Sequence, residues 1–187
     1  MNKRTKTALR RWCLYGWTFA KWTMAASAIG VVCGLIGTMF HFGVHEVTAF
    51  RGTHPWVLYL LPLAGFVIVS FYKLTETDGL GTDDIIDAVH EGKRLPILLL
   101  PAIFFGTVLT HLCGGSAGRE GAALQIGGGI GYRTGKLLQL GEKDLPLATL
   151  CGMSGVFSAL FGTPLTATVF ALEVISVGVF YYSAVSY

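Results

Sequence analysis

Charge is scarce in this 187-residue sequence: Asp, Glu, Lys and Arg supply 13% of it, against 52% hydrophobic residues. A soluble domain carries roughly 25% charge, so this chain cannot cover an ordinary solvated surface, and its mean hydropathy of +0.59 points to a bilayer. Cysteine is also sparse. Cys13, Cys33, Cys113 and Cys151 lie far apart in or beside apolar segments. That scatter excludes the close pairs of disulfide frameworks and thiolate metal sites and leaves buried thiols. The formal net charge of +3 is too small to imply nucleic acid, and the basic residues sit at the N-terminus and in short loops, where membrane topology accounts for them. A phosphate loop ending in Gly135-Lys136 would need glycine where Ile130 stands and Ser or Thr where Leu137 stands. The sequence therefore gives no sign of an enzyme, a cofactor or a metal site.

What is present is a succession of apolar segments. Lys6 to Trp22 mixes basic and aromatic residues in the manner of an interfacial helix. The run from Trp12 is stopped by Lys21 without a cleavage site, which favours a cytoplasmic N-terminus over a signal peptide. Thr23 to Phe42 is long enough to span, offers Gly30, Gly34 and Gly37 as a close-packing face, and is ended by His41, His45 and Glu46. Those two histidines lack a third ligand and read as an interfacial helix end rather than a metal site. Pro55 to Tyr72 is a second span, and Leu95 to Cys113 a third, interrupted by Pro101. Thr82 and two aspartates start a helix over Asp83–Glu91. Asp144 caps a helix carrying Pro146 in its first turn, small residues fill Leu147 to Phe161, and Thr163-Pro164 breaks the chain before Leu165 to Val174. Ile175 to Tyr187 stops without a cap, as if cut within a helix.

The centre of the sequence is the glycine-rich run Gly114 to Gly131, with Arg119 and Glu120 in its midst. Ionised side chains at membrane depth are costly and functional by default. Glycines flank the pair and a helix starts at Glu120, so free N–H groups and the positive end of a helix dipole face whatever lies ahead. An anion suits that place. The Glu120 carboxylate suits it too, and the two would compete for one set of donors. Nearby His111 reads as a buried histidine with a hydrogen-bond partner in preference to a proton relay.

Gly118-Arg119-Glu120-Gly121, with its Gly-Gly-Ser-Ala lead-in and Gln-Ile-Gly-Gly follow-on, resembles the gating-glutamate motif of the CLC family of chloride channels and anion/proton antiporters. Ser154-Gly155-Val156-Phe157-Ser158-Ala159-Leu160-Phe161-Gly162-Thr163-Pro164-Leu165, continuing through Leu172-Glu173, is similar to the family's next characteristic segment. The resemblance implies an all-α integral membrane protein: the first half of an inverted-repeat fold with tilted and broken transmembrane helices. Residues 1–22 would form a cytoplasmic or interfacial helix, and 23–187 the first repeat, truncated at its C-terminus. It further implies a multi-pass cell-membrane protein that forms homodimers and moves chloride or fluoride, coupled to protons. Glu120 would be the gate, and Gly118, Arg119, Gly121, Leu80 and Gly81 would line the anion's path. Small residues between Cys151 and Ala159 would permit the dimer contact.

Three departures from the family pattern lean one way. Gly79-Leu80-Gly81-Thr82-Asp83 stands where the family has Gly-Ser-Gly-Ile-Pro, so the serine hydroxyl is lost. Ala122 replaces the proline after the gate, and Val174 falls where exchangers carry an internal proton-transfer glutamate. This pattern is similar to the fluoride-exporting branch. The alternatives from another class are a non-transporting membrane scaffold or an inactive fragment. A scaffold explains the glycines but not a charged pair at membrane depth.

Overall fold

The computed structural model describes the backbone of residues 3–91 and 96–185, and among these residues it is built of helices. The first, α1 (Lys3–Thr53), is one unbroken helix of 51 residues. The expected stops at Trp22 and at His41-His45-Glu46 do not occur, and the division between residues 1–22 and 23–187 falls inside it. The reason is that no proline occurs before Pro55. His54, the residue before that proline, leaves the helical region at φ −129° and ψ 71°, as sterics with the pyrrolidine ring require.

Pro55–Leu60 forms a 3-10 turn that leads into α2 (Leu61–Leu74). Leu14–Thr53 and Pro55–Leu74 are both long and apolar enough to cross a membrane. At 1.5 Å per residue the former is about 60 Å long, twice a hydrocarbon core of about 30 Å, so it must tilt or project beyond the bilayer. There follow α3 (Thr82–Glu91), α4 (Leu99–Leu112), α5 (Arg119–Leu137), α6 (Leu145–Phe161) and α7 (Pro164–Val185). Leu95, the expected start of the third span, and Tyr187 lie outside the described residues. Pro101 does not interrupt α4. It is the third helical residue, where the missing N–H would have had no partner in any case.

Helix α6 is the axis of the packing. It runs antiparallel to α5 through bare backbone: a Cβ on Gly152 would fall on the Gly127 carbonyl oxygen and 2.7 Å from Gly131 Cα. It runs parallel to α1, since Cys33 faces Gly155 and Gly37 faces Ala159, where added Cβ atoms would come within 2.9 and 2.8 Å. Close approach of this kind maximises dispersion contact, the attraction that remains when the solvent is as apolar as the side chains. Ile29, Phe40, Ile85, Leu99, Ile126, Met153 and Val156 fill the space between the helices. Gly30 and Gly34, read as part of a packing face, have nothing within 4 Å of an added Cβ.

Asp144 takes the N-cap position of α6 but its side chain does not cap the helix. Its carboxylate instead accepts from Lys21 Nζ at 2.7 Å, tying the start of α6 to α1. Because α5 is antiparallel to α6, the N-terminus of α5 lies at the end of the pair remote from Lys21 and Asp144.

Candidate functional site

The site is made by a helix that ends abruptly and one that starts uncapped. Gly114, at φ +84°, terminates α4. Its N–H donates to His111 O at 3.2 Å and the Gly115 N–H to Thr110 O at 2.9 Å, a crossed pair of bonds that glycine in the left-handed region permits. The chain then runs to Gly118, which is extended at φ −61° and ψ 136° and serves as N-cap of α5 without a capping side chain. The first amides of α5 are thus left for a ligand. Glu120 is exposed, and its Oε2 lies 3.0 Å from where a Cβ on Gly118 would stand, so the carboxylate folds back over the start of its own helix.

A second helix start meets the first. Ile85 of α3 packs against Gly128, where an added Cβ would lie 2.7 Å from Ile85 Cγ2. One turn earlier, Gln125 Nε2 of α5 donates to Thr82 Oγ1 at 2.9 Å. The same Oγ1 stands 3.6 Å from the position of a Cβ on Gly121. Two helix N-termini, each the positive end of a dipole, therefore converge beside Glu120.

The other residues singled out in the sequence take distinct places. Leu80 is half-buried and turns its side chain onto the main core. The Gly81 N–H donates to Asp84 Oδ2 at 2.9 Å, so an anion at that amide would have to displace this carboxylate. Arg119 is half-buried. Among the described residues it forms no ion pair with Glu120 or with the exposed Glu173. His111 has Nδ1 2.8 Å from Thr107 O within its own helix; a carbonyl only accepts, so this nitrogen carries the proton. His41 and His45 stack with ring centroids 6.3 Å apart.

Two contributors escaped the sequence reading. Arg51, near the end of α1, brings Nη1 to 3.6 Å from the Cβ position of Gly114 and so adds a cation to the glycine loop. Its only sequence signal was a charge beyond an apolar run. The link between Gln125 and Thr82 spans 43 residues. The spacing of Gly121 and Gln125, one helical turn apart, was the available hint that both face one neighbour.

Comparison with known proteins agrees with this arrangement. The family model described as voltage gated chloride channel matches residues 63–187. The chain is 35% identical over 167 residues to the chloride/fluoride channel protein of Pseudomonas syringae pv. tomato, covering 88% of this chain and 37% of that protein. It is 28% identical over 189 residues to the H(+)/Cl(-) exchange transporter of Vibrio vulnificus, covering 91% and 40%. It is similar in structure to a CLC-type fluoride/proton antiporter, with a TM-score of 0.75 and 36% identity over 81% of this chain and 39% of that one. The chain thus spans about two fifths of the length of these relatives.

Proposed function

The chain belongs to the voltage gated chloride channel family, and on that premise we propose that it serves to move a halide across the membrane in exchange for protons, with Glu120 as the group common to both. The observation that carries the reading is the Glu120 carboxylate folded over the uncapped start of α5, beside the start of α3. An anion displacing that carboxylate finds the amides from Gly118 to Gly121 and the field of two helix dipoles. Protonation cancels the charge of Glu120 and its claim on those donors, so binding of a proton and binding of an anion help each other. Arg119 and Arg51 raise the local concentration of anions.

Fluoride is the halide we favour. Leu80 offers no hydroxyl, Ala122 stands after the gate, and Val174 takes the place aligned with an internal proton-transfer glutamate. The similar structure at 36% identity is named for fluoride and the relative at 35% for chloride and fluoride together, whereas chloride, the second reading, has the support of exchangers at 28% and 32%. The test is efflux from liposomes bearing the full product of the reading frame, with fluoride and chloride followed by ion electrodes. Fluoride efflux well above chloride, with proton uptake, supports the exporter; chloride equal or dominant returns the protein to the chloride branch.

The protein lies in a membrane by family, and we place it in the cell membrane, with its N-terminus in the cytoplasm on the strength of Lys3, Arg4, Lys6, Arg10 and Arg11. That puts Lys21 and Asp144 towards the cytoplasm and the start of α5 towards the opposite side. We also propose a homodimer. Gly155 and Ala159 pack against α1, but Ala26 of α1, Leu147, Leu150, Ser154 and Ser158 of α6 and Leu172 of α7 line a groove of 470 Å³ between these helices, where a second copy would pack.

A further inference from the structure

We propose that Thr82 contacts the transported anion and that Gln125 is the residue that aims it. The inference rests on the halide-transport reading above. The Gln125 amide nitrogen has hydrogens and no lone pair to offer, so in its 2.9 Å contact it donates and Thr82 Oγ1 accepts. Threonine has a single hydroxyl proton, and that proton must then point elsewhere. Among the described residues no acceptor takes it.

This sets Thr82 apart from the hydroxyl residues that bond within their own helices. Thr18, Thr23, Thr48, Thr110, Thr149, Ser154 and Thr168 all return their protons to the carbonyl four residues earlier in their own helices. Thr82 is the first residue of α3 and has no preceding turn to bond. Its oxygen is held over Gly121, next in sequence to Glu120, and the residue is half-buried. A donor left unspent there is available to whatever acceptor enters the junction. At the junction of two helix N-termini that acceptor is an anion. Thr82 thereby supplies, from two residues further along, the hydroxyl that Leu80 lacks.

The experiment measures proton-coupled fluoride efflux against fluoride concentration, using liposomes containing the full reading-frame product. Thr82→Val keeps the side-chain shape and removes the hydroxyl. Gln125→Glu replaces the donor by an acceptor that captures the Thr82 proton. Both are expected to raise the half-saturating fluoride concentration roughly tenfold or more, the usual weight of a hydrogen bond to a charged group, with a smaller change in maximal rate. Thr82→Ser is expected to stay close to wild type.

A merely structural tie would leave half-saturation unchanged in every variant, and that result overturns the proposal. Where a variant is inactive, fluoride-induced elevation of the unfolding temperature in detergent takes over as readout. Wild type and Thr82→Ser should show it; equal elevation in Thr82→Val would count against the proposal. Wild-type vesicles that move no halide would sink the transport reading and this inference together. Normal wild-type transport with an unaltered Thr82→Val would sink this inference alone.

Discussion

Lys21 Nζ lies 2.7 Å from Asp144 Oδ2, a contact between residues 123 apart in sequence that fixes the register of α1 on α6. Twelve residues further along α1, Cys33 meets Gly155, and four more bring Gly37 to Ala159. One ion pair and two small-residue contacts thus describe a single parallel seam. The side chains of the pair are 40% and 34% exposed, and exposed pairs contribute about 0–1 kcal/mol. Lys21→Ala and Asp144→Asn should therefore each shift the unfolding temperature only slightly, and their effects should not add. A loss well above about 1 kcal/mol in a double-mutant cycle would show that the pair is shielded by more than this chain provides.

The seam between α5 and α6 should behave differently. A methyl on Gly152 meets the Gly127 carbonyl, which as backbone cannot swing aside. Gly152→Ala is expected to destabilise the protein by about 1–3 kcal/mol or more, as overpacked cores are. Gly30→Ala meets nothing within 4 Å and should be neutral or gain up to about 1 kcal/mol from helix propensity. Thermal unfolding of the two variants side by side would check the contrast, and equal losses would contradict it.

That contrast also marks how far the sequence could be read. Small residues at helical spacing announced close packing, but Gly30, Gly34 and Gly37 look alike in sequence and only Gly37 approaches a neighbour. Which stripe is used depends on how helices cross, and crossing is a property of the assembled bundle. The start of α5 was legible because glycine, charge and apolar flanks coincide at Gly118 to Gly121. The length of α1 was misjudged because charged and aromatic residues at Lys21 to Trp22 and His41 to Glu46 suggested ends, although nothing in the backbone enforces one before Pro55. The Gln125 contact with Thr82 stayed hidden because it joins two helices whose relative placement no local pattern encodes.

Glu120 provides the direct test of coupling. With alanine in its place the donors at the start of α5 have no competitor, and the proton has no carrier there. Glu120→Ala in the full protein should abolish proton-coupled movement of halide, while Glu120→Gln, which mimics the protonated side chain, should do the same. Simultaneous pH-electrode and fluoride-electrode traces from liposomes would decide it, and surviving proton coupling in either variant would remove Glu120 from the role of gate.

Asp84 gives a prediction in which stability and transport move in opposite directions. Its Oδ2 accepts from the Gly81 N–H at 2.9 Å and so holds the α3 start closed by a carboxylate in the first turn. Asparagine in its place can still accept that bond, but as a neutral and weaker partner. The helix start should therefore lose about 0.5–2 kcal/mol or less, the range for weakened N-caps. The same change removes a negative charge from the place where an anion would arrive, and Coulomb repulsion over a few ångströms at an intermediate dielectric amounts to kilocalories per mole. Asp84→Asn is thus expected to lower the unfolding temperature and, at the same time, to lower the half-saturating fluoride concentration several-fold. A variant that is less stable and binds fluoride more weakly would mean that Asp84 serves the site by shaping α3 and that its charge does not reach the anion.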